Sequence, residues 1–332
     1  MVEGEKNMKL IIQIPCFNEE KTLPVTVNDL PKKIEGIDAI EILVIDDGST
    51  DKTSEVAKRI GVNHIVRFNK KKGLAEGFMT GLDICLKLGA DIIVNTDADN
   101  QYKGEDIEKL IKPILEKRAD MVVGDREIDK LEHFSATKKL LQKIGSWVVR
   151  QLSGTDIPDT TSGFRAFNRE AVMKLNLIST FTYTLETIIQ AGKKNIAISH
   201  VPIRTNPDLR ESRLFSSPWG YVKKSGATIL RIYAIYEPLK VFSYIGGTVF
   251  LIGSLIMVRF LYFYFFGIRP FGHLQSLLLA SVLLIIGFNI IIMGLIADLI
   301  SANRRLIEDT LFRIKKLEFS IRKDDESQSE DL

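Results

Sequence analysis

The sequence predicts an α/β protein with a mainly parallel sheet covered by helices on both faces, followed by a pair of membrane-crossing helices. Three observations carry this. From Lys9 to about Ile203 short apolar runs alternate with amphipathic stretches, the pattern of repeated βα units. Three of those runs end in carboxylates: residues 10–14 lead into Pro15-Cys16-Phe17-Asn18-Glu19-Glu20, residues 41–45 into Asp46-Asp47-Gly48-Ser49, and residues 91–96 into Asp97-Ala98-Asp99. Beyond Pro207, residues 241–258, extended by the aromatic run 260–266, and residues 274–300 form two long apolar stretches. Each exceeds the ~20 residues that cross a ~30 Å hydrocarbon core.

Strands are expected at residues 10–14, 42–45, 64–66, 92–95, 121–123, 164–167 and 196–201. Helices fit between them at 22–33, 54–60, 74–88, 104–117, 138–152 and 185–192, with Thr50-Asp51 as a plausible cap for the second. Gly73, Gly77 and Gly81 recur every four residues, but no GxxxxGK[ST] is present. They are therefore expected to let a helix pack closely rather than to cradle phosphate.

The net charge of +3 is too small to indicate a nucleic-acid binder. Cys16 and Cys85 are the only cysteines and form no CxxC, which argues against a disulfide scaffold or a zinc site. The first apolar run is too short for a signal peptide.

The chain is expected to divide into an N-terminal α/β domain at 1–214, interface helices at 215–240, two membrane spans at 241–300, and an amphipathic and then disordered tail at 301–332. Residues 267–273 form a short connection carrying one Arg. Lys223, Lys224, Arg231 and Lys240 precede the first span, and Arg304, Arg305, Arg313, Lys315 and Lys316 follow the second. By the positive-inside rule a multi-pass protein of the cell membrane is expected, with the N-terminal domain and tail cytoplasmic. Trp219, Tyr221, Tyr233 and Tyr236 among basic residues suit helices in the headgroup layer, with a helix packed on the globular domain as the less favoured alternative. Arg259 is expected to snorkel. Asn289 is expected to bond to another helix or to its own hairpin partner. In the tail, Ile307, Leu311, Ile314, Leu317 and Ile321 make an amphipathic helix suited to self-association or the membrane surface, and residues 324–332 are expected to be disordered.

Asp97 and Asp99 are two residues apart, so an extended segment points both carboxylates the same way. Such a pair suits a hard divalent cation, and Gln101 offers an amide oxygen. An acidic solvated turn has the same sequence; two further acidic strand ends favour the site. Arg126, Lys138, Arg165, Arg204, Arg210 and Arg213 follow the acidic half and could offset phosphate charge, though each alone is also an ordinary surface charge.

The ordered segments PCFNEE, DDGSTD, KKKGLAEGF, NTDADNQY, GDRE and DTTSGFRAF resemble the family 2 glycosyltransferases. The similarity covers roughly residues 8–214 and is to the branch that makes polyprenyl-phosphate sugars, such as dolichyl-phosphate mannose and glucose synthases. It implies an A-type nucleotide-sugar-binding glycosyltransferase fold and inverting, Mg²⁺- or Mn²⁺-dependent hexose transfer from a nucleotide sugar to a polyprenyl or dolichyl phosphate. GDP-mannose is placed first as donor, with UDP-glucose or UDP-N-acetylglucosamine as alternatives. Pro15, Phe17, Glu19 and Asp47 would contact the nucleoside, with Asp97, Ala98 and Asp99 along the ribose and diphosphate. Asp97, Asp99 and Gln101 would hold the metal. Arg126, Ser135, Lys138, Arg165, Arg204, Arg210 and Arg213 would serve the acceptor phosphate, with Asp99, Arg126 and Arg213 catalytic. Lys138 stands where that branch commonly has Arg, and Arg210-Glu211-Ser212-Arg213-Leu214 departs from the family's GESKL by two arginines. A processive polysaccharide synthase is disfavoured by the lack of QxxRW. A non-catalytic nucleotide-sugar-binding scaffold is the reading from another class. Homo-oligomers through the membrane and tail helices are a further expectation.

Overall fold

A computed structural model describes residues 7–127, 136–177, 182–207, 218–266 and 274–330. Within these, seven strands form one sheet: β1 (Lys9–Cys16), β2 (Ala39–Asp46), β3 (His64–Arg67), β4 (Ile92–Asn95), β5 (Met121–Asp125), β6 (Arg165–Asn168) and β7 (Ile198–Pro202). Their order is β3-β2-β1-β4-β6-β5-β7. All neighbours are parallel except β6, which runs antiparallel to both β4 and β5. The sheet is thus mixed but mostly parallel. β1 and β4 are almost wholly buried, which is why they read as continuous apolar runs rather than alternating ones.

The helices are α1 (Leu23–Asp29), α2 (Thr53–Arg59), α3 (Leu74–Lys87), α4 (Ile107–Leu115), α5 (Ala136–Ser153), α6 (Arg169–Lys174), α7 (Thr184–Lys193), α8 (Pro218–Tyr236), α9 (Pro238–Phe265) and α10 (Leu274–Glu330). α1 stops well before residue 33. Leu30 precedes Pro31 and takes ψ 143°, because the proline ring disfavours the helical region for its predecessor. α6 was not expected; its six residues are too few for a periodic signal, and the Asn168 side chain caps it by accepting from Ala171 N. A Cβ at Gly81 would stand 2.8 Å from Ile45 Cδ1, so small residues do bring α3 down onto β1 and β2. Gly73 acts differently: its φ of 101° starts the helix.

The contact pattern groups Met1–Ile229 with Leu311–Leu332, and Leu230–Thr310 separately. The sequence boundaries instead set residues 301–332 apart as an amphipathic helix and disordered end. Helix also continues to Glu330 where disorder was expected. No Gly or Pro occurs after Gly294, so nothing in the local sequence terminates α10.

In the second unit, α9 and α10 are long and apolar enough to cross a membrane. Glycines let them touch: a Cβ at Gly287 would meet Phe250 N at 2.6 Å and Gly246 O at 2.8 Å. Without a hydrophobic driving force between spans, such close backbone approach supplies the packing. Asn289 Nδ2 donates to Ile285 O of its own helix at 2.8 Å. Arg259 lies over Phe263, 5.8 Å from the ring centroid. At one end of this unit Arg304 Nη2 donates to Tyr236 Oη at 2.8 Å, Arg305 to Tyr236 O at 3.2 Å, and Ser301 to Ile235 O at 3.1 Å.

Candidate active site

The parallel neighbours β2, β1 and β4 end side by side, with Cys16 opposite Asp46 and Gln13 opposite Asn95. Their carboxyl ends therefore form one rim, where open α/β sheets bind ligands. The loops after β1 and β2 are stitched together. Asn18, at φ 57°, accepts from Thr50 N at 2.8 Å, and Asn18 N donates to Ser49 Oγ at 2.9 Å. Glu19 N donates to Thr53 Oγ1 at 2.8 Å, and Thr22 Oγ1 donates to Glu19 Oε2 at 2.6 Å. Glu19 is thereby fixed in place although nearly buried.

The two adjacent aspartates have separate tasks. Asp46 is fully buried and accepts from Ser49 N at 2.7 Å and from Ser54 Oγ, so it builds the turn. Asp47 accepts from Lys72 N at 2.6 Å and Gly73 N at 2.9 Å, one on each oxygen. A second lone pair on each oxygen is open to a ligand. Gly48, at φ 68°, lets the Lys70–Lys71 backbone pass where a Cβ would come within 2.8 Å of Lys71 N. This loop carries Lys71 over Phe17, 3.6 Å from the ring centroid, so the face expected to meet a base bears an ammonium.

The acidic ends converge. The Cys16 thiol is pushed up by burial first, then by the charges of Glu19, Asp46, Asp51 and Asp97. Asp97 also raises Tyr102 and Tyr183, after burial as the larger cause in each. A Cβ at Gly163 would stand 2.8 Å from Asp97 Oδ2 and 2.8 Å from Tyr183 Oη, so glycine makes room for that carboxylate. Asn95 fixes the strand end beneath it, donating to Gly163 O at 2.8 Å and Tyr183 Oη at 2.9 Å.

Ala98 O accepts from Thr26 Oγ1 at 2.9 Å, and Asp99 Oδ1 accepts from Gln101 N at 3.3 Å. Asn100 turns the chain at φ 57°. Asn206 holds the turn from outside, its N donating to Gln101 O at 2.8 Å and its Nδ2 to Asn100 O at 3.0 Å. The donor set fits a hard divalent cation: two carboxylates and an amide oxygen on one turn. Among the described residues the buried atoms Asn100 Oδ1 and Ser162 Oγ have no hydrogen-bond partner, and such atoms suit a polar ligand. No group of three or more His, Cys, Asp or Glu side chains among the described residues is placed to hold a metal ion.

The basic residues are sorted by the structure. Arg126 is nearly buried and forks onto Asp159, with Nε to Oδ2 at 2.6 Å and Nη2 to Oδ1 at 3.0 Å; Nη2 also donates to Thr161 Oγ1 at 2.7 Å. Burial opposes its charge, but Asp159, Tyr102 and Asp97 outweigh burial and raise its pKa. Asp159 is held low by Arg126 against a larger opposing effect of burial. The Nη1 edge is not used by these bonds. Arg165 corrects an expectation. It is fully buried in β6 and donates to Ser162 O at 2.8 Å, Thr184 O at 2.8 Å, Thr160 O at 3.1 Å and Thr187 Oγ1. Burial lowers its pKa to about 10. It organises the 160–162 turn from inside and does not reach an acceptor phosphate.

Arg204 is likewise engaged, with Nη2 2.8 Å from Asp106 Oδ1 and 3.0 Å from Glu105 Oε2. Burial raises Asp106, yet the Arg204 and Lys109 contacts outweigh it and bring the carboxyl down to about 2. A depressed carboxyl stabilises the fold above its unfolded value near 3.8 and loses that contribution as pH falls through about 2. Asp106→Asn is therefore expected to lower stability by roughly 2 kcal/mol at neutral pH. The gap should close towards pH 2, as measured by chemical denaturation across pH. Ser135, Arg210 and Arg213 lie outside the described residues, as does the Lys138 side chain.

Tyr102, Asp159, Gly163 and Tyr183 were missed by sequence reasoning as contributors to this rim. Asp159 and Gly163 sat in view within DTTSGFRAF; the partner of Arg126 was the missing link.

The mostly parallel sheet, with carboxylates following its central strands, has the fold of the A-type glycosyltransferases. Residues 11–175 match the model for glycosyl transferase family 2, and the chain belongs to that family. It is 37% identical over 204 residues to "Uncharacterized protein MJ1222" of Methanocaldococcus jannaschii, covering 59% of this chain and 81% of that protein. It is 31% identical over 213 residues to the UDP-N-acetylglucosamine–dolichyl-phosphate N-acetylglucosaminyltransferase of Methanococcus voltae, covering 58% of this chain and 83% of that protein. A crystal structure of glucosyl-3-phosphoglycerate synthase from Mycobacterium tuberculosis, with Mn²⁺, UDP-glucose and phosphoglyceric acid, shares the fold. Its TM-score is 0.55 at 19% identity, over 68% of this chain and 80% of that one.

Proposed function

We propose that this glycosyltransferase moves a hexose, with inversion, from a nucleoside diphosphate sugar to a polyprenyl phosphate in a membrane. The observation that carries the reading is the pairing of β1 in parallel with β2 and β4, which brings the loops bearing Glu19, Asp47 and Asp97 to one rim of the sheet. Phe17 and Pro15 offer the walls of a base pocket, and Glu19 and Asp47 offer acceptors for ribose or base. Asp97, Asp99 and Gln101 would hold a Mg²⁺ or Mn²⁺ ion, whose charge would offset that of a leaving diphosphate.

The second ionisation of a phosphate monoester falls near pH 6, so the acceptor oxygen is already a nucleophile at neutral pH. No side-chain base is needed. The new bond forms between that oxygen and the anomeric carbon as the bond to the donor diphosphate breaks. Arg126 contributes a fixed cation to the rim, with Ser135, Lys138, Arg210 and Arg213 as further candidates for the acceptor phosphate. The relative from Methanococcus voltae, named for transfer to dolichyl phosphate, supports a lipid phosphate acceptor, as do the two membrane-length helices. The basic residues flanking those helices favour a cytoplasmic active site.

The test is incubation of the full chain with labelled GDP-mannose, UDP-glucose and UDP-N-acetylglucosamine and with polyprenyl phosphate, followed by solvent extraction. Label should enter the lipid phase from one donor, and EDTA should stop it. Donor binding with no lipid product from any of them would favour the non-catalytic scaffold.

A further inference from the structure

The C-terminal part of α10 packs as part of the sheet domain, with Leu311–Leu332 grouped with Met1–Ile229. Between Leu311 and Phe319 the covered positions are Phe312, Lys315 and Phe319. Steps of three and four place them on one stripe of a helix. That stripe is not the apolar one apparent in the sequence; Leu311, Ile314 and Leu317 remain exposed.

Each covered residue has a partner on α3 or α6. Phe319 is 8% exposed and lies beneath Arg169, whose guanidinium carbon is 5.0 Å from the ring centroid. Arg169 is itself aimed by the last turn of α3 and the residues just after it, since Nη1 donates to Ala90 O at 3.0 Å and Leu86 O at 3.3 Å. Phe312 faces Lys174 Nζ at 5.5 Å. Lys315 Nζ lies 3.5 Å from Asp83 Oδ1. Two cation–ring contacts and an ion pair thus read the same short stretch of helix.

We propose that Phe312, Lys315 and Phe319 form a clasp that fastens the returning chain to the sheet domain. The sheet domain is then attached to the apolar hairpin twice, through α8 and through the clasp. A second attachment raises the effective concentration of an active site at a membrane-held acceptor without adding any contact to that acceptor. The clasp also bears on α3, whose opposite end starts at Gly73 and is tied to Asp47 of the candidate site. The part of this inference that concerns transfer rests on the lipid-acceptor reading above; the clasp itself does not.

The test uses the full chain in lipid nanodiscs. Carbodiimide coupling should yield an intramolecular Lys315–Asp83 linkage in the monomer, read by mass spectrometry. Its absence, or a linkage only between chains, overturns the clasp. The Phe312→Ala/Phe319→Ala variant should then lose roughly tenfold or more in transfer to a long polyprenyl phosphate in the bilayer. Transfer to a short water-soluble prenyl phosphate should change by less than about twofold, because that acceptor diffuses to the site unaided. Equal losses with both acceptors, or no loss with the bilayer acceptor, overturn the tethering role. The charge swap Asp83→Lys/Lys315→Asp should recover bilayer transfer lost in Asp83→Lys alone, and failure to recover it counts against the clasp. If the unmodified protein transfers sugar to neither acceptor, the function reading fails while the cross-link still decides the clasp.

Discussion

Asp99→Ala is expected to lower sugar transfer by about a thousandfold, the scale of losing one preorganised charge-stabilising group. Asp99 sits on the turn after β4 and its Oδ1 takes the N–H of Gln101 at 3.3 Å, a long bond. The turn is held independently by Thr26 on Ala98 O and by Asn206 on Asn100 O and Gln101 O. Removing the carboxylate leaves those bonds to the turn backbone in place. Expression, membrane insertion and thermal unfolding should match the unmodified chain, so the loss reports on chemistry alone. Near-normal transfer by Asp99→Ala at saturating Mg²⁺ would remove the metal assignment.

Asp159→Ala is expected to have the largest effect on stability. The Arg126 and Asp159 side chains are 7% and 0% exposed, so truncating Asp159 leaves a nearly buried guanidinium without its partner. Breaking such a pair costs about 3–5 kcal/mol. Thermal unfolding in detergent should show a large drop in midpoint, well beyond that for the exposed pair Arg118–Glu116. Replacing both residues, Arg126→Met/Asp159→Leu, should recover much of the stability, since no orphan charge remains, while transfer stays low. Should Asp159→Ala unfold like the unmodified protein, Arg126 is solvated rather than held in a buried clamp.

The sheet was legible because strands covered on both faces must be apolar throughout, as in residues 10–14 and 92–95. Strand direction was not: Arg165–Asn168 reads alike in either sense, and only its pairing with β4 and β5 makes it antiparallel. The acidic rim was legible because each carboxylate follows its strand directly. The partner of Arg126 was not, because Asp159 lies 33 residues further on, in a loop. Arg165 carried a hint that charge counting overrode. It is flanked by Phe164, Ala166 and Phe167, all fully or almost fully buried, and a charge in such a run is more economically satisfied by carbonyls from its own fold. In the tail, the apolar stripe was read correctly as a helix, yet the face that packs uses Phe312 and Phe319 beneath cations. Hydrophobic periodicity weighs only apolar neighbours and is blind to that arrangement.

The proposed role of the turn from Asp97 to Gln101 is to hold a divalent ion against a nucleoside diphosphate. Anomalous diffraction from crystals soaked with Mn²⁺ and a nucleoside diphosphate decides it. A manganese peak is expected within coordination distance, about 2.2 Å, of Asp97 or Asp99 oxygens, with the diphosphate on the same ion and the base near Phe17. A diphosphate bound elsewhere, or bound at this rim with manganese away from both aspartates, would contradict it.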